Sequence, residues 1–238
     1  MAAKTLTIDG KQVSAEEGAT ILDVATDAGI KIPTLCHLDG VYDLGACRLC
    51  LVEVAGIAKL LPACTTKISE GMDVKTDSER LRKYRRMTLE LLFAERNHTC
   101  AVCVANGHCE LQTLAYGLGM DHVRYDYCYP HWEVDASHRF MGMDHNRCIL
   151  CNRCVRACWE IEGAGTKNVA GRGATSHIIS DLNEPWGDSE TCTSCGKCVL
   201  ACPTGALFHK GDTTGESLRD RSKLEFIVNA REKKQWTV

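Results

Sequence analysis

Two short cysteine runs decide most of what this chain can become. Cys148-Ile149-Leu150-Cys151-Asn152-Arg153-Cys154-Val155-Arg156-Ala157-Cys158 has the spacing C-x2-C-x2-C-x3-C. Cys192-Thr193-Ser194-Cys195-Gly196-Lys197-Cys198-Val199-Leu200-Ala201-Cys202 repeats it, with Pro203 behind. Three thiols this close along the chain can wrap three corners of a cubane [4Fe–4S] group. The fourth, expected at the start of the next helix, points away and reaches the other cubane. The spacing therefore predicts one [4Fe–4S] group on Cys148, Cys151, Cys154 and Cys202, and a second on Cys192, Cys195, Cys198 and Cys158. Zinc sites use separated C-x2-C pairs rather than two four-cysteine runs.

Two further groups precede the repeat. Cys36, Cys47, Cys50 and Cys64 fall in a segment that reads as strand-rich, which suits a [2Fe–2S] group, with zinc the alternative on spacing alone. Gly45 and Ala46 are small enough to let backbone N–H groups approach the sulfurs. Next come His98, Cys100, Cys103 and Cys109, three thiols and an imidazole for a third [4Fe–4S] group. His108 is the rival fourth donor. Imidazole in place of thiolate removes a negative charge and shifts the reduction potential upward. All but one of the 16 cysteines are then used. The remainder, Cys128, is expected to be a buried free thiol, and a fourth ligand to the middle group is the alternative.

Such cysteine density could instead be a disulfide scaffold, but that needs an oxidising compartment. The N-terminus has no apolar signal region and no twin-arginine motif, so a cytoplasmic location is expected. No stretch is long and apolar enough to span a membrane. A net charge of −3 gives no reason to expect nucleic acid. Gly163-Ala164-Gly165 lacks the third glycine of a dinucleotide fingerprint.

The expected elements begin with Thr5–Ile8 and Gln12–Ser14, alternating strands around the turn dipeptide Asp9-Gly10. Thr20 caps a helix over Ile21–Ala28, with Gly29 beyond it. Leu49–Ala55 and Leu60–Ala63 read as strands. Residues 78–95 form the longest helix, with Leu81, Tyr84, Thr88, Leu91 and Leu92 as its apolar stripe. Its Arg80, Arg82, Lys83, Arg85 and Arg86 read as a solvated face or a docking surface for an acidic partner. A helix over Glu110–Leu118 follows a loop. Gly163–Trp186 is an inserted loop or hairpin, and Arg219–Lys234 a charged, mildly helical tail, frayed or held by a partner.

In this order the groups resemble a known family. Cys36…Cys47-Arg48-Leu49-Cys50-Leu51-Val52-Glu53-Val54…Cys64 is similar to the [2Fe–2S] domain that opens the large iron–sulfur subunit of respiratory complex I and the iron-only hydrogenases. Asn97-His98…Cys100-Ala101-Val102-Cys103…Gly107-His108-Cys109-Glu110-Leu111-Gln112 resembles their His(Cys)3-ligated domain. The family places its histidine four residues before the first cysteine. Here only Thr99 intervenes, as in the diaphorase small subunits of soluble NAD-reducing [NiFe] hydrogenases.

The resemblance implies an α+β chain. A β-grasp [2Fe–2S] ferredoxin-like domain would span 1–77, a helical His(Cys)3 domain 78–140, a double-cubane ferredoxin-like domain 141–210 and a tail 211–238. It implies a free-standing electron-relay subunit with one [2Fe–2S] and three [4Fe–4S] groups and no active site of its own. FMN and NAD would reside on a diaphorase partner, and H2 would react on small and large [NiFe] hydrogenase subunits. Clusters pass single electrons while H2 and NADH exchange two, so a flavin neighbour is required. An NAD-dependent formate dehydrogenase or a complex I-like enzyme is the alternative setting, and an iron–sulfur redox sensor a more distant one.

Overall fold

The structure, a computed structural model, describes residues 3–219 and 221–232. It divides into two compact units: Met1–His37, Asp43–Glu90 and Leu114–Asp121 in the first, and Leu38–Tyr42, Leu91–Thr113 and His122–Val238 in the second.

In the first unit, β1 (Ala3–Ile8) and β2 (Lys11–Glu16) pair antiparallel with Ile8 opposite Lys11. Asp9 and Gly10 join them with φ of 50° and 81°, the left-handed pair that matches strand twist. Helix α1 (Ile21–Asp27) starts at a capping box. Thr20 Oγ1 accepts from the Asp23 N–H, and the Asp23 carboxylate accepts from the Thr20 N–H. Strands β3 (Leu51–Val54), β4 (Ile57–Pro62) and β5 (Asp73–Lys75) complete a mixed five-stranded sheet in the order β2-β1-β5-β3-β4. Ile21, Leu22, Val24 and Ala25 of α1 pack on Leu6, Ile8, Val52 and Val74, a core that includes Cys50 and Cys64.

Helix α2 (Glu79–Glu95) occupies the segment where a long helix was expected, but it buries a different stripe. Leu81, Arg85 and Leu89 are buried, whereas Tyr84 and Leu91 are 39% and 48% exposed. Arg85 is therefore neither a solvated nor a docking residue. Its Nε donates to Leu49 O at 3.0 Å, and its Nη2 to Leu51 O and Thr76 O, each at 2.8 Å. A guanidinium offers five N–H donors in one plane and can occupy a core position that no lysine would fill.

In the second unit, the loop after α2 makes one 3-10 turn at Cys100–Val102 and leads into α3 (Glu110–Gly117), whose residues from Leu114 on are counted with the first unit. Strands β6 (Val134–Asp135) and β7 (Met141–Asp144) precede the first cysteine run, and α4 (Arg153–Arg156) begins inside it. A π-helical turn, Ala157–Glu162, continues α4. The inserted segment is a hairpin, β8 (Lys167–Ala170) with β9 (His177–Ser180). Helix α5 (Lys197–Ala201) lies within the second run, and β10 (Leu207–His209) pairs antiparallel with β7, so the residues flanking the repeat meet.

The C-terminal segment departs from expectation. Helix α6 (Ser222–Glu232) buries Leu224 and Val228 against Leu38, Ala157, Ile161 and Ala201, and so is packed rather than frayed or held only by a partner. Lys233 and Lys234 lie outside the described residues. Among the described residues no helix is long and apolar enough to cross a membrane.

Candidate metal centres

Cys36, Cys47, Cys50 and Cys64 converge in the first unit. Cys50 Sγ and Cys64 Sγ lie 3.4 Å apart. Hydrogen bonds among the four thiols pull Cys36 and Cys50 down and push Cys47 and Cys64 up. Backbone N–H groups also point inward: Leu35 N–H meets Cys47 Sγ at 3.4 Å, and the Cys47 and Ala46 backbones stabilise the Cys36 thiolate. The small residue Ala46 permits that approach. Arg48, between two of the thiols, takes φ 54°.

Among the described residues of the second unit, three small cavities are each lined by four of the predicted donors. His98, Cys100, Cys103 and Cys109 line the first, with Arg147 and Gly205. Cys148, Cys151, Cys154 and Cys202 line another. Cys158, Cys192, Cys195 and Cys198 line a third. Among the described residues no three of these side chains converge closely enough to hold a single metal ion.

His98 shows how its site is prepared. One ring nitrogen bonds to the Leu92 backbone, and Nε2 is buried with no partner. Burial, helped by Arg147 and Arg96, pulls the imidazole down to about 4, so it is neutral with a free lone pair. That is the condition of a metal-ligating histidine oriented through its second nitrogen. His108 is exposed and does not line the cavity. Cys128 does not line it either, and it is exposed rather than buried, its N–H donating to Ala94 O at 2.9 Å.

The thiols of the two runs share one backbone pattern. Leu150 and Asn152 flank Cys151 with φ of 51° and 58°, and Ser194 and Gly196 flank Cys195 with φ of 58° and 73°. A left-handed leucine is strained, and such strain persists where surrounding structure enforces it. Each left-handed residue turns the loop so that successive thiols face one space. The third cysteine of each run sits on the short helix; the fourth caps that helix in the second run, and in the first run it lies near the start of the π-helical turn that follows. Cys198 lies in α5 and Cys202 caps its C-terminus, while Cys154 lies in α4 and Cys158 in the π-helical turn.

The donor set fits an iron–sulfur group chemically. Burial pushes Cys148, Cys151 and Cys198 up to about 12 and Cys109 up to about 11. Thiols in that state are inert unless a metal supplies the positive charge that makes them thiolates.

Sequence reasoning missed several residues around these cavities. A Cβ on Gly205 would collide with Cys103 Sγ, so a larger residue there would displace that thiol. Trp186, 1% exposed, donates its Nε1–H to Cys192 Sγ at 3.2 Å. Glu110 ties three segments together: it pairs with Arg153 at 3.0 Å and with Arg221, and its N–H donates to Pro203 O at 3.0 Å. Burial would raise that carboxyl, but the two guanidinium groups outweigh it and hold it below the usual range. The Cys202-Pro203-Thr204-Gly205 turn was the one sequence signal that could have drawn attention to Gly205.

Three families match successive parts of the chain. Residues 2–79 match the family described as 2Fe-2S iron-sulfur cluster binding domain. Residues 85–124 match the NADH-ubiquinone oxidoreductase-G iron-sulfur binding region, and 139–208 the NADH-quinone oxidoreductase subunit 3 ferredoxin-like domain. The chain is 40% identical over 206 residues to NADPH-Fe(3+) oxidoreductase subunit alpha of Geobacter sulfurreducens, covering 87% of this chain and 24% of that one. It is 35% identical to NAD-reducing hydrogenase HoxS subunit gamma of Cupriavidus necator, covering 86% of each. Among solved structures, a chain of NAD+-reducing [NiFe]-hydrogenase in the H2-reduced state superposes with a TM-score of 0.83 at 38% identity, covering 89% of both. The chain spans about a quarter of the first of these relatives but nearly the whole of the second. Matched at 35% identity over 86% of both chains, the chain belongs to the family that includes HoxS subunit gamma.

Proposed function

We propose that this chain is an electron-relay subunit with four iron–sulfur groups, working between a [NiFe] hydrogenase module and a flavin- and NAD-binding module on partner subunits. The observation that carries this reading is the sorting of sixteen predicted donors, fifteen cysteines and His98, into one thiol quartet and three four-donor cavities. Cys36, Cys47, Cys50 and Cys64 would hold the [2Fe–2S] group, on a domain of β-grasp type. His98 with Cys100, Cys103 and Cys109, Cys148 with Cys151, Cys154 and Cys202, and Cys192 with Cys195, Cys198 and Cys158 would hold the three [4Fe–4S] groups. When bound, such groups supply one-electron capacity at potentials set by charge, hydrogen bonds and exposure. The chain's own residues hold the thiols in place, direct N–H groups at the sulfurs and keep water out.

Iron and sulfide analysis of the purified full chain tests the count, with about 14 irons per chain expected. A value near four, or stoichiometric zinc, overturns the reading. Co-purification from the native host tests the partners. Nickel-containing hydrogenase subunits and a flavoprotein are expected, and formate dehydrogenase subunits in their place would overturn the hydrogen half. The chain alone should oxidise neither H2 nor NADH.

Gly205→Ala provides a local test. Its new methyl would meet Cys103 Sγ, so the variant is expected to lose about four irons and the spectrum of the His98 site alone. Full retention of that spectrum would count against Cys103 as a donor.

A further inference from the structure

The cavity lined by Cys158, Cys192, Cys195 and Cys198 has a cation in its wall that the relay described so far leaves unused. Lys167, the first residue of β8, is 3% exposed and lines that cavity. Its ammonium donates to Ser180 Oγ at 2.8 Å across the hairpin and lies 3.3 Å from the centroid of the Trp186 ring. Trp186 in turn donates its indole N–H to Cys192 Sγ.

Among the described residues, no carboxylate stands within ion-pair distance of Lys167. Asp135 and Asp181 are the acidic groups that interact with it from farther away; the oxygens of Asp135 already accept from Trp186 N–H and Ser137 N–H, and Asp181 accepts from Thr191 Oγ1. Lys197, on the same cavity wall, differs in being paired with Glu162. A buried ammonium with no carboxylate is strongly disfavoured unless another anion faces it. Burial pulls Lys167 down, and the groups that most strongly pull it back up are the sulfurs of Cys198, Cys154 and Cys192.

We propose that Lys167 is the fixed counter-charge of the group held by Cys158, Cys192, Cys195 and Cys198, and that it raises that group's reduction potential. The proposal rests on the donor assignment given above. Reduction adds an electron to a site that is already negative. A cation fixed in a dry wall stabilises the added charge more than it stabilises the oxidised state. The same ammonium, seated on the indole face, polarises the ring and strengthens the N–H donor aimed at Cys192 Sγ. Lys167 and Trp186 thus act on the sulfurs as one unit, and they make this site the electron-accepting member of the cubane pair.

The test is a redox titration followed by electron paramagnetic resonance on the full chain, comparing the wild type with Lys167→Met and Lys167→Arg. Iron analysis of the wild type and of Cys195→Ala comes first, to show that the site is loaded and which signal belongs to it. An empty wild-type site overturns the donor assignment, and that result is read before any potential. With the site loaded, Lys167→Met is expected to leave that signal about tenfold less reduced at a fixed potential, about 59 mV for one electron. The signal of the Cys148, Cys151, Cys154 and Cys202 site should fall by less, because Cys154 also feels Lys167. The [2Fe–2S] and His98 signals should not move, and Lys167→Arg should restore the wild-type value. Loss of iron in the methionine variant with retention in the arginine variant also supports the counter-charge. An unchanged potential in a loaded Lys167→Met chain, or equal effects of methionine and arginine, overturns the proposal.

Discussion

Cys202→Ala is expected to remove about four of the chain's irons, and to remove them from the site whose other donors lie far earlier, Cys148, Cys151 and Cys154. The reason is the length of α5. Cys198 near its start and Cys202 at its C-cap are about 6 Å apart along the axis, at a rise of 1.5 Å per residue. Its two ends therefore serve different cavities. A pairwise comparison isolates the crossing. Cys148→Ala combined with Cys202→Ala should lose no more iron than either alone, because both strip one site. Cys198→Ala combined with Cys202→Ala should lose about eight irons. Iron counts showing the reverse pattern would place Cys202 with its own run and sink the crossed assignment.

Arg85→Met is the second large effect, and it acts on stability. The methionine keeps most of the aliphatic stem but leaves Leu49 O, Leu51 O and Thr76 O without their donor in a dry interior. Hydrogen bonds from a charged donor to buried carbonyls, once lost, cost about 3 kcal/mol or more together. The Leu49 and Leu51 carbonyls flank Cys50, so the loss falls on the segment that presents this thiol. The midpoint of chemical denaturation, followed through the visible signal of the [2Fe–2S] site, should drop markedly. Arg82→Met should change nothing measurable, since Arg82 is exposed and paired only with Asp77. Equal midpoints for the two variants would show that the guanidinium of Arg85 carries no structural load.

Much of the candidate site was legible before any fold was known, because its geometry is local. Two-residue gaps between cysteines bring thiols side by side whatever surrounds them, and Asp9-Gly10 and the Thr20–Asp23 box are equally self-contained. The stripe of α2 was misread because an arginine was assumed to seek water. In the fold, three carbonyls from β3, its preceding loop and the segment after β5 happen to meet it. Cys128 was expected to be buried because a spare thiol usually is, but the chain around it makes one backbone bond, to Ala94 O, and leaves the side chain outside.

By itself, then, the sequence determined which donors exist, how they group along the chain and what chemistry they suit. Spacing and donor type are properties of neighbouring residues. Tertiary structure alone decided the charge and dielectric around each group. The seating of Lys167 on Trp186, the unpartnered Nε2 of His98, the glycine at 205 against Cys103 and the left-handed turn at Leu150 all come from residues brought together by packing. Burial and long-range contact set a buried charge's energy, and neither is written in the spacing of a motif.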